Sequence, residues 1–336
     1  MTAPFVPWLS FLAAGLVIAV AGPALTRYGD IIARLTGLSR SWIGLVLVAA
    51  ATSLPELFTG ISAVAAADAP NIAVGDALGS CVFNLVMLVL LDELSRSEPM
   101  YRRIDQGHIL TAGFGVILIG SAGAFLLLSH SALDVQLFHV SGYTPFIIVL
   151  YFVAMRAAFV YERRMRPPPE IVRLQSGVSM GRAVLGYGIA AAIVAAAGTG
   201  LPFIGQNIAT TMGWKTTFVG TLLIAAATSV PELVVTISAL RLGAVDMAIG
   251  SLLGSNLFDI LILAFDDIAY RKGPLLGAVA PTNAITAFAA AIMSGIFIVA
   301  MLYKPETRLR GTVSWVSLSL LVIYLFSAYA AYLLGH

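Results

Sequence analysis

The chain has 336 residues, of which 59% are hydrophobic and 11% charged, with a formal net charge of +2 and a mean hydropathy of +0.95. A soluble domain carries about a quarter charged residues, so this composition excludes a water-soluble fold and leaves a membrane protein. No nucleic-acid partner is expected, and the bilayer itself is the first partner.

Apolar runs long enough to cross a hydrocarbon core of roughly 30 Å fall at 8–26, 41–66, 71–91, 108–129, 143–161, 183–201, 216–240, 245–265, 280–303 and 313–334. Ten spans put the odd-numbered connections on one face. That face holds 16 of the 19 Lys and Arg, and the other holds only Lys215, Arg271 and Lys272. Basic residues accumulate on the cytoplasmic side. The reading is therefore a multi-pass protein of a plasma (inner) membrane, with both termini extracellular or periplasmic. The central connection with Pro167-Pro168-Pro169 is then cytoplasmic. The first segment has no basic residue before it and no small-residue cleavage signal, so it is kept as a span. Arg163-Arg164-Met165-Arg166 suits lipid headgroups, and Trp8, Trp42, Trp214 and Trp315 stand near segment ends as interface anchors. A connection of this length is too short for a regulatory calcium-binding domain. Short connections and no appended domains suggest a prokaryotic membrane.

The chain repeats itself. Gly44 to Ala63 (GLVLVAAATSLPELFTGISA) and Gly220 to Ala239 (GTLLIAAATSVPELVVTISA) agree at 13 of 20 positions at an offset of 176. Gly75 to Asn84 (GDALGSCVFN) and Gly250 to Asp259 (GSLLGSNLFD) follow at an offset of 175. The motif blocks are 44–63 with 75–85, and 220–239 with 250–260. Each half has five spans, an odd number, so the second half enters from the opposite side and the repeats are inverted. The expected organisation is a first repeat over 1–162, a linker over 163–182 and a second repeat over 183–336. It is an all-α fold of ten transmembrane helices, with helices two and seven broken. Inverted repeats meet near the bilayer midplane around a substrate site made by interrupted helices.

The break is predicted from proline, which removes a backbone donor and crowds the carbonyl four residues back, freeing Ala51 before Pro55 and Ala227 before Pro231. Beside each break stand two hydroxyls and a carboxylate: Thr52, Ser53 and Glu56, then Thr228, Ser229 and Glu232. A mid-span carboxylate costs about 2.5–3.5 kcal/mol on insertion scales, and the central turns of these helices offer no Lys or Arg. The countercharge is then a proton or a bound cation. Hard cations take six to eight oxygen ligands. A soft metal would need Cys or His, whereas Cys81 is the one cysteine and His108, His130, His139 and His336 are scattered. Ser80 with Asn84, and Ser255 with Asp259, add oxygens at a spacing of four, one helical face. Gly75, Gly79, Gly250 and Gly254 let helices approach closely. Asp266-Asp267 before Arg271-Lys272 reads as a helix-end cluster in an external loop and not a second calcium site.

These residues resemble the two alpha-repeats of the sodium/calcium exchanger branch of the cation/calcium antiporter superfamily. The resemblance implies that segments two, three, seven and eight surround the ions, with Glu56 and Glu232 as shared Ca²⁺ and Na⁺ ligands. It further implies that Thr52, Ser53, Ser80, Thr228, Ser229, Ser255, Asp259 and the carbonyls of Ala49 and Ala225 complete the sites. Asn84 takes the place of Asp259's symmetry mate. Three carboxylates then face the ions, in line with the roughly three Na⁺ per Ca²⁺ that the resemblance implies. Two departures stand out. Ala51 and Ala227 replace a glycine of the family pattern, and Asp76 and Ser251 replace an asparagine. Asp76 is an additional acid that could line the path, or a carboxylate favoured near a helix N-terminus. The function implied is Na⁺/Ca²⁺ antiport by alternating access, without a cofactor and with no obligatory protein partner. The nearest rival is a proton-coupled Ca²⁺ or other divalent-cation antiporter. An intramembrane enzyme is remote, since neither HExxH nor Gly-x-Gly-Asp is present. A channel fits poorly, because a tight multi-carboxylate site holds divalent ions too strongly for rapid flow.

Overall fold

The computed structural model describes residues 5–35, 49–94, 100–102, 104–131, 135–165, 178–241, 245–304, 308–309 and 313–335. The first part of segment two, Trp42 and the Pro167-Pro168-Pro169 run lie outside these residues. In chain order the helices are α1 (Val6–Leu35), α2 (Ala49–Thr52), α3 (Leu54–Ala65), α4 (Pro70–Leu94), α5 (Gly107–Leu128), α6 (Thr144–Met165) and α7 (Met180–Met212). They continue with α8 (Thr216–Thr228), α9 (Val230–Arg241), α10 (Val245–Ala269), the single turn α11 (Leu275–Ala278), α12 (Asn283–Tyr303) and α13 (Trp315–Leu334). Among the described residues, eight helices are long and apolar enough to cross a membrane, and α8 with α9 makes a ninth span bent by 44°. Segment two supplies α2 and α3, and its opening residues, 41–48, are among those not described.

Hydropathy marks only the part of a helix that meets lipid. The first and sixth segments, expected over 8–26 and 183–201, therefore extend in the fold to Val6–Leu35 and Met180–Met212. For the same reason α6 runs to Met165 and α7 begins at Met180, inside the expected 163–182 linker. These two long helices, α1 and α7, pack along each other and turn most of their surface outward. The most enclosed are α4, which touches α3, α8 and α9, and α10, which touches α2, α3 and α9; the two also touch each other.

The duplication is visible beyond the motifs. A two-stranded hairpin, β1 (Gln136–Leu137) with β2 (Val140–Ser141), precedes α6, and another, β3 (Arg308–Leu309) with β4 (Val313–Ser314), precedes α13. Asp267 at the end of α10 accepts bonds from the Ser141 N–H (2.8 Å), the Thr144 hydroxyl and the Leu275 N–H (2.7 Å). Asp92 near the end of α4 accepts the hydroxyls of Ser314 (2.6 Å) and Ser317 (2.7 Å). Each half thus ties its third span to the start of the other half's fifth with one buried aspartate. This corrects the expected loop cluster at Asp266-Asp267. Both residues are inside α10 and at most 1% exposed. For Asp267, partners more than 120 residues away make that burial tolerable, and adjacent charges in sequence could not reveal them.

The glycines work as expected in the first half. A Cβ at Gly79 of α4 would lie 2.8 Å from Thr221 Cα and 2.9 Å from Ala225 Cβ, and closer still to the Thr221 carbonyl oxygen. One at Gly75 would lie 3.1 Å from the Thr221 nitrogen, and one at Gly220 of α8 would lie 2.9 Å from the Ile72 oxygen. Backbone therefore rests on backbone where α4 crosses α8. At that crossing, Val219–Ile224 of α8 winds as a π-helix, the widened turn that recurs at functional sites. For Gly250, the nearest atom to an added Cβ among the described residues is His108 Cε1 at 3.5 Å.

Candidate cation site

Both broken helices stop at a serine. Ser53 (φ −85°, ψ 12°) separates α2 from α3, and Ser229 (φ −80°, ψ 11°) separates α8 from α9. Both sit in the bridge region, where helical continuation fails. Pro55 and Pro231 stand just beyond, in the first turn of α3 and α9, where the missing N–H removes no helix bond. The proline thus starts the second half-helix instead of interrupting a continuous one.

The two breaks bring Glu56 and Glu232 to equivalent positions. Glu56 Oε1 accepts the hydroxyls of Ser80 (3.4 Å) from its own half and Ser229 (3.2 Å) from the other. Glu232 Oε1 accepts those of Ser255 (3.3 Å) and Ser53 (3.3 Å) by the same rule. Ser229 also donates to the Ser80 hydroxyl (3.1 Å), and Thr52 and Ser255 share a hydrogen bond of 3.3 Å. Glu56 Oε2 and Glu232 Oε2 have no partner among the described residues, although both residues are only 1% exposed.

Between them run α4 and α10. Asn84 Nδ2 donates to Asn256 Oδ1 (3.0 Å) and Asp259 Oδ2 (3.5 Å), which leaves Asn84 Oδ1 and Asp259 Oδ1 unpartnered. Asp76 Oδ1 accepts from the Thr228 hydroxyl (2.9 Å), and its Oδ2 is unpartnered. The Ala49 carbonyl accepts from the Thr52 hydroxyl and the Ser53 N–H, both at 3.0 Å. That of Ala225 accepts from Thr228 (3.2 Å) and the Ser229 N–H (3.0 Å). These carbonyls are engaged here, and a threonine hydroxyl must turn away before either can hold an ion. All thirteen residues singled out from the sequence are at most 1% exposed.

Sequence reasoning missed Asn256. It is the symmetry mate of Cys81, whose carbonyl accepts from Asn256 Nδ2 at 3.3 Å, and a search for repeated residues passes over a pair that differs. Also unforeseen are the packing partners of the breaks. A Cβ at Gly22 of α1 would lie 2.7 Å from Pro231 Cγ, and one at Gly198 of α7 would lie 2.8 Å from the Pro55 oxygen. These two glycines are themselves 176 residues apart, the offset of the repeat. Each outer helix thus rests its glycine on the broken helix of the other repeat.

Chemically, the cluster is a set of hard oxygens around buried carboxylates, with no buried Lys or Arg among the described residues to balance them. Among the described residues no three His, Cys, Asp or Glu side chains converge closely enough to hold an ion alone. A shell must therefore mix carboxylates with hydroxyl, amide and backbone oxygens, which suits Ca²⁺ and Na⁺ and not a thiophilic metal.

The family model described as "Sodium/calcium exchanger protein" matches residues 6–161 and 182–333. The chain belongs to that family. It is a transporter and not an enzyme. Among its relatives is the sodium/calcium exchanger MaX1 of Methanosarcina acetivorans, 29% identical over 295 residues, covering 76% of this chain and 81% of that one. Another is the inner membrane protein YrbG of Escherichia coli, 27% identical over 255 residues, covering 76% and 77%. The fold is similar to that of the sodium-calcium exchanger NCX_Mj, with a TM-score of 0.64 at 20% identity over 97% of this chain and 99% of that one.

Proposed function

We propose that this protein exchanges Na⁺ for Ca²⁺ across a plasma membrane by alternating access. The observation that carries the reading is the crossed arrangement of Glu56 and Glu232. Each is held on one oxygen by hydroxyls from both repeats, while the other oxygen lacks any protein partner. A buried pair of this kind needs a bound cation or a proton, and the repeats present it symmetrically to two faces. Glu56, Glu232 and Asp259 then carry the charge that the ions neutralise. Thr52, Ser53, Ser80, Asn84, Thr228, Ser229 and Ser255, with the Ala49 and Ala225 carbonyls, supply the remaining oxygens. MaX1 and NCX_Mj bear the name of sodium/calcium exchangers, and YrbG that of an inner membrane protein, which supports the coupling ion and the membrane chosen.

In this mechanism α1 and α7 move together across the core formed by α3, α4, α9 and α10, pivoting on the contacts Gly22–Pro231 and Gly198–Pro55. The Thr59 hydroxyl to the Gly198 carbonyl (3.1 Å) and the Ser62 hydroxyl to the Thr199 carbonyl (2.7 Å) tie α3 to α7 in the present state. Crossing is favourable only when the carboxylates are neutralised, and this couples the fluxes. The termini face outward and the central connection faces the cytoplasm, supported by the distribution of Lys and Arg.

Asp76 favours one alternative. It is a fourth buried carboxylate beside Thr228, and if it carries a proton through the cycle the coupling ion is H⁺. Competition in purified protein separates the two. Na⁺ should displace bound radiolabelled Ca²⁺ with a Hill slope above about 1.5, while K⁺ should not, because several Na⁺ must occupy the oxygens one Ca²⁺ vacates. Displacement by H⁺ alone would favour the proton-coupled reading.

A further inference from the structure

Asp266 and Asp267 stand side by side in α10, both buried, in opposite circumstances. The Asp267 carboxylate is fully engaged, as described above, whereas neither oxygen of Asp266 has a partner among the described residues. A carboxylate left unpaired inside a membrane span is costly and marks function more often than structure. Asp266 lies on Gly60 of α3. A Cβ at that glycine would come within 2.7 Å of the carboxyl carbon and closer to both oxygens. Gly60 is one turn beyond Glu56, about 6 Å along α3, and Asp266 is two turns beyond Asp259, about 10 Å along α10. Both steps lead toward the connections joined by Lys272 and Asp68, whose ion pair measures 2.7 Å. Asp266 is therefore placed between the Glu56–Glu232 cage and one mouth of the protein.

The internal repeat shows that the fold does not require it. Continuing the offset of 175, Asp267 coincides with Asp92, and each pins the start of a helix of the other repeat through serine or threonine. Asp266 coincides with Leu91, which is buried and apolar, and at the offset of 176 Gly60 coincides with Thr236. One half fills this place with leucine; the other has a carboxylate, and a glycine stands opposite it. The departure is confined to one of the two mouths.

We propose that Asp266, seated on Gly60, is an outlying cation station at this mouth alone, where a hard cation, Ca²⁺ or Na⁺, is held on its way to or from the central cage. The proposal rests on the antiport reading above for its role, though not for the binding itself. A single carboxylate completed by water makes a weak site, with Kd about 10⁻³ M, as befits a station that must also release its ion. It raises the local cation concentration on one face only.

Two measurements on the full-length purified protein test it. With Glu56→Gln and Glu232→Gln together removing the central site, equilibrium binding of radiolabelled Ca²⁺ should retain one weak, non-cooperative site, and adding Asp266→Asn should abolish it. In proteoliposomes Asp266→Asn alone should raise the Ca²⁺ KM at the Lys272 face by at least about threefold, with the KM at the opposite face and the maximal rate held within about twofold. Asp266→Leu, which restores the residue of the other repeat, should fold and show the same one-sided shift. Absence of residual binding in the double variant, as for a carboxyl that carries only a proton, would overturn the station, and so would an equal KM change at both faces. Failure of the antiport reading would show separately, as a wild-type protein that does not exchange, and would leave the binding measurement intact.

Discussion

Replacing Glu56 or Glu232 by glutamine should abolish exchange, with a loss of at least about a hundredfold. Outer partners of metal ligands alone are worth 10–100-fold, and here a ligand is removed. Glutamine has the size of glutamate and can still accept from Ser80 and Ser229, or from Ser255 and Ser53, through its carbonyl oxygen. What changes is the oxygen with no protein partner, which becomes an amide that presents hydrogens to the cation. Because a buried charge without countercharge is costly in ion-free solution, both variants should melt at or above the wild-type temperature there. Added Ca²⁺ should raise the wild-type midpoint and not theirs, by the linkage of binding to stability. Vigorous transport by either variant would remove these carboxylates from the site.

Gly79→Ala should be the most damaging small change to the scaffold. The added carbon would overlap the Thr221 carbonyl oxygen, Thr221 Cα and Ala225 Cβ, which are largely backbone and cannot rotate aside. Overpacking typically costs about 1–3 kcal/mol, and backbone contact places this case at the upper end. The displaced element is the π-helical part of α8, which leads directly into Thr228 and Ser229, so transport should fall together with thermal stability. Gly120→Ala on α5, where a Cβ meets nothing within 4 Å, is the matched control and should change neither. Equal midpoints for the two variants in a detergent melting experiment would show that the α4–α8 crossing is looser than described.

Much of this was legible because the repeat writes each key residue twice. Thr-Ser-x-Pro-Glu announced two breaks, and the need for a proton or a bound cation as countercharge followed from the absence of Lys and Arg nearby. The basic residues gave an expected orientation of the spans. What the chain concealed depends on contacts across distance. No residue in Val219–Ile224 signals a π-helix, since the widening answers to Gly75 and Gly79 on another helix. Asp267 looked like a loop charge because its partners, Ser141 and Thr144, come from a different span. Asn256 was hidden by asymmetry, opposite Cys81. Asp266 was hidden twice, by its neighbour Asp267 and by the apolar Leu91 at its equivalent place.

The central claim is that one oxygen cage, shared between two inverted repeats, couples Na⁺ to Ca²⁺. Purified protein in liposomes, with the membrane potential clamped, should take up radiolabelled Ca²⁺ when an outward Na⁺ gradient is imposed. It should take up none with an outward H⁺ gradient or with no gradient. Uptake driven by H⁺ and indifferent to Na⁺ would contradict the sodium coupling and make Asp76 the first residue to replace.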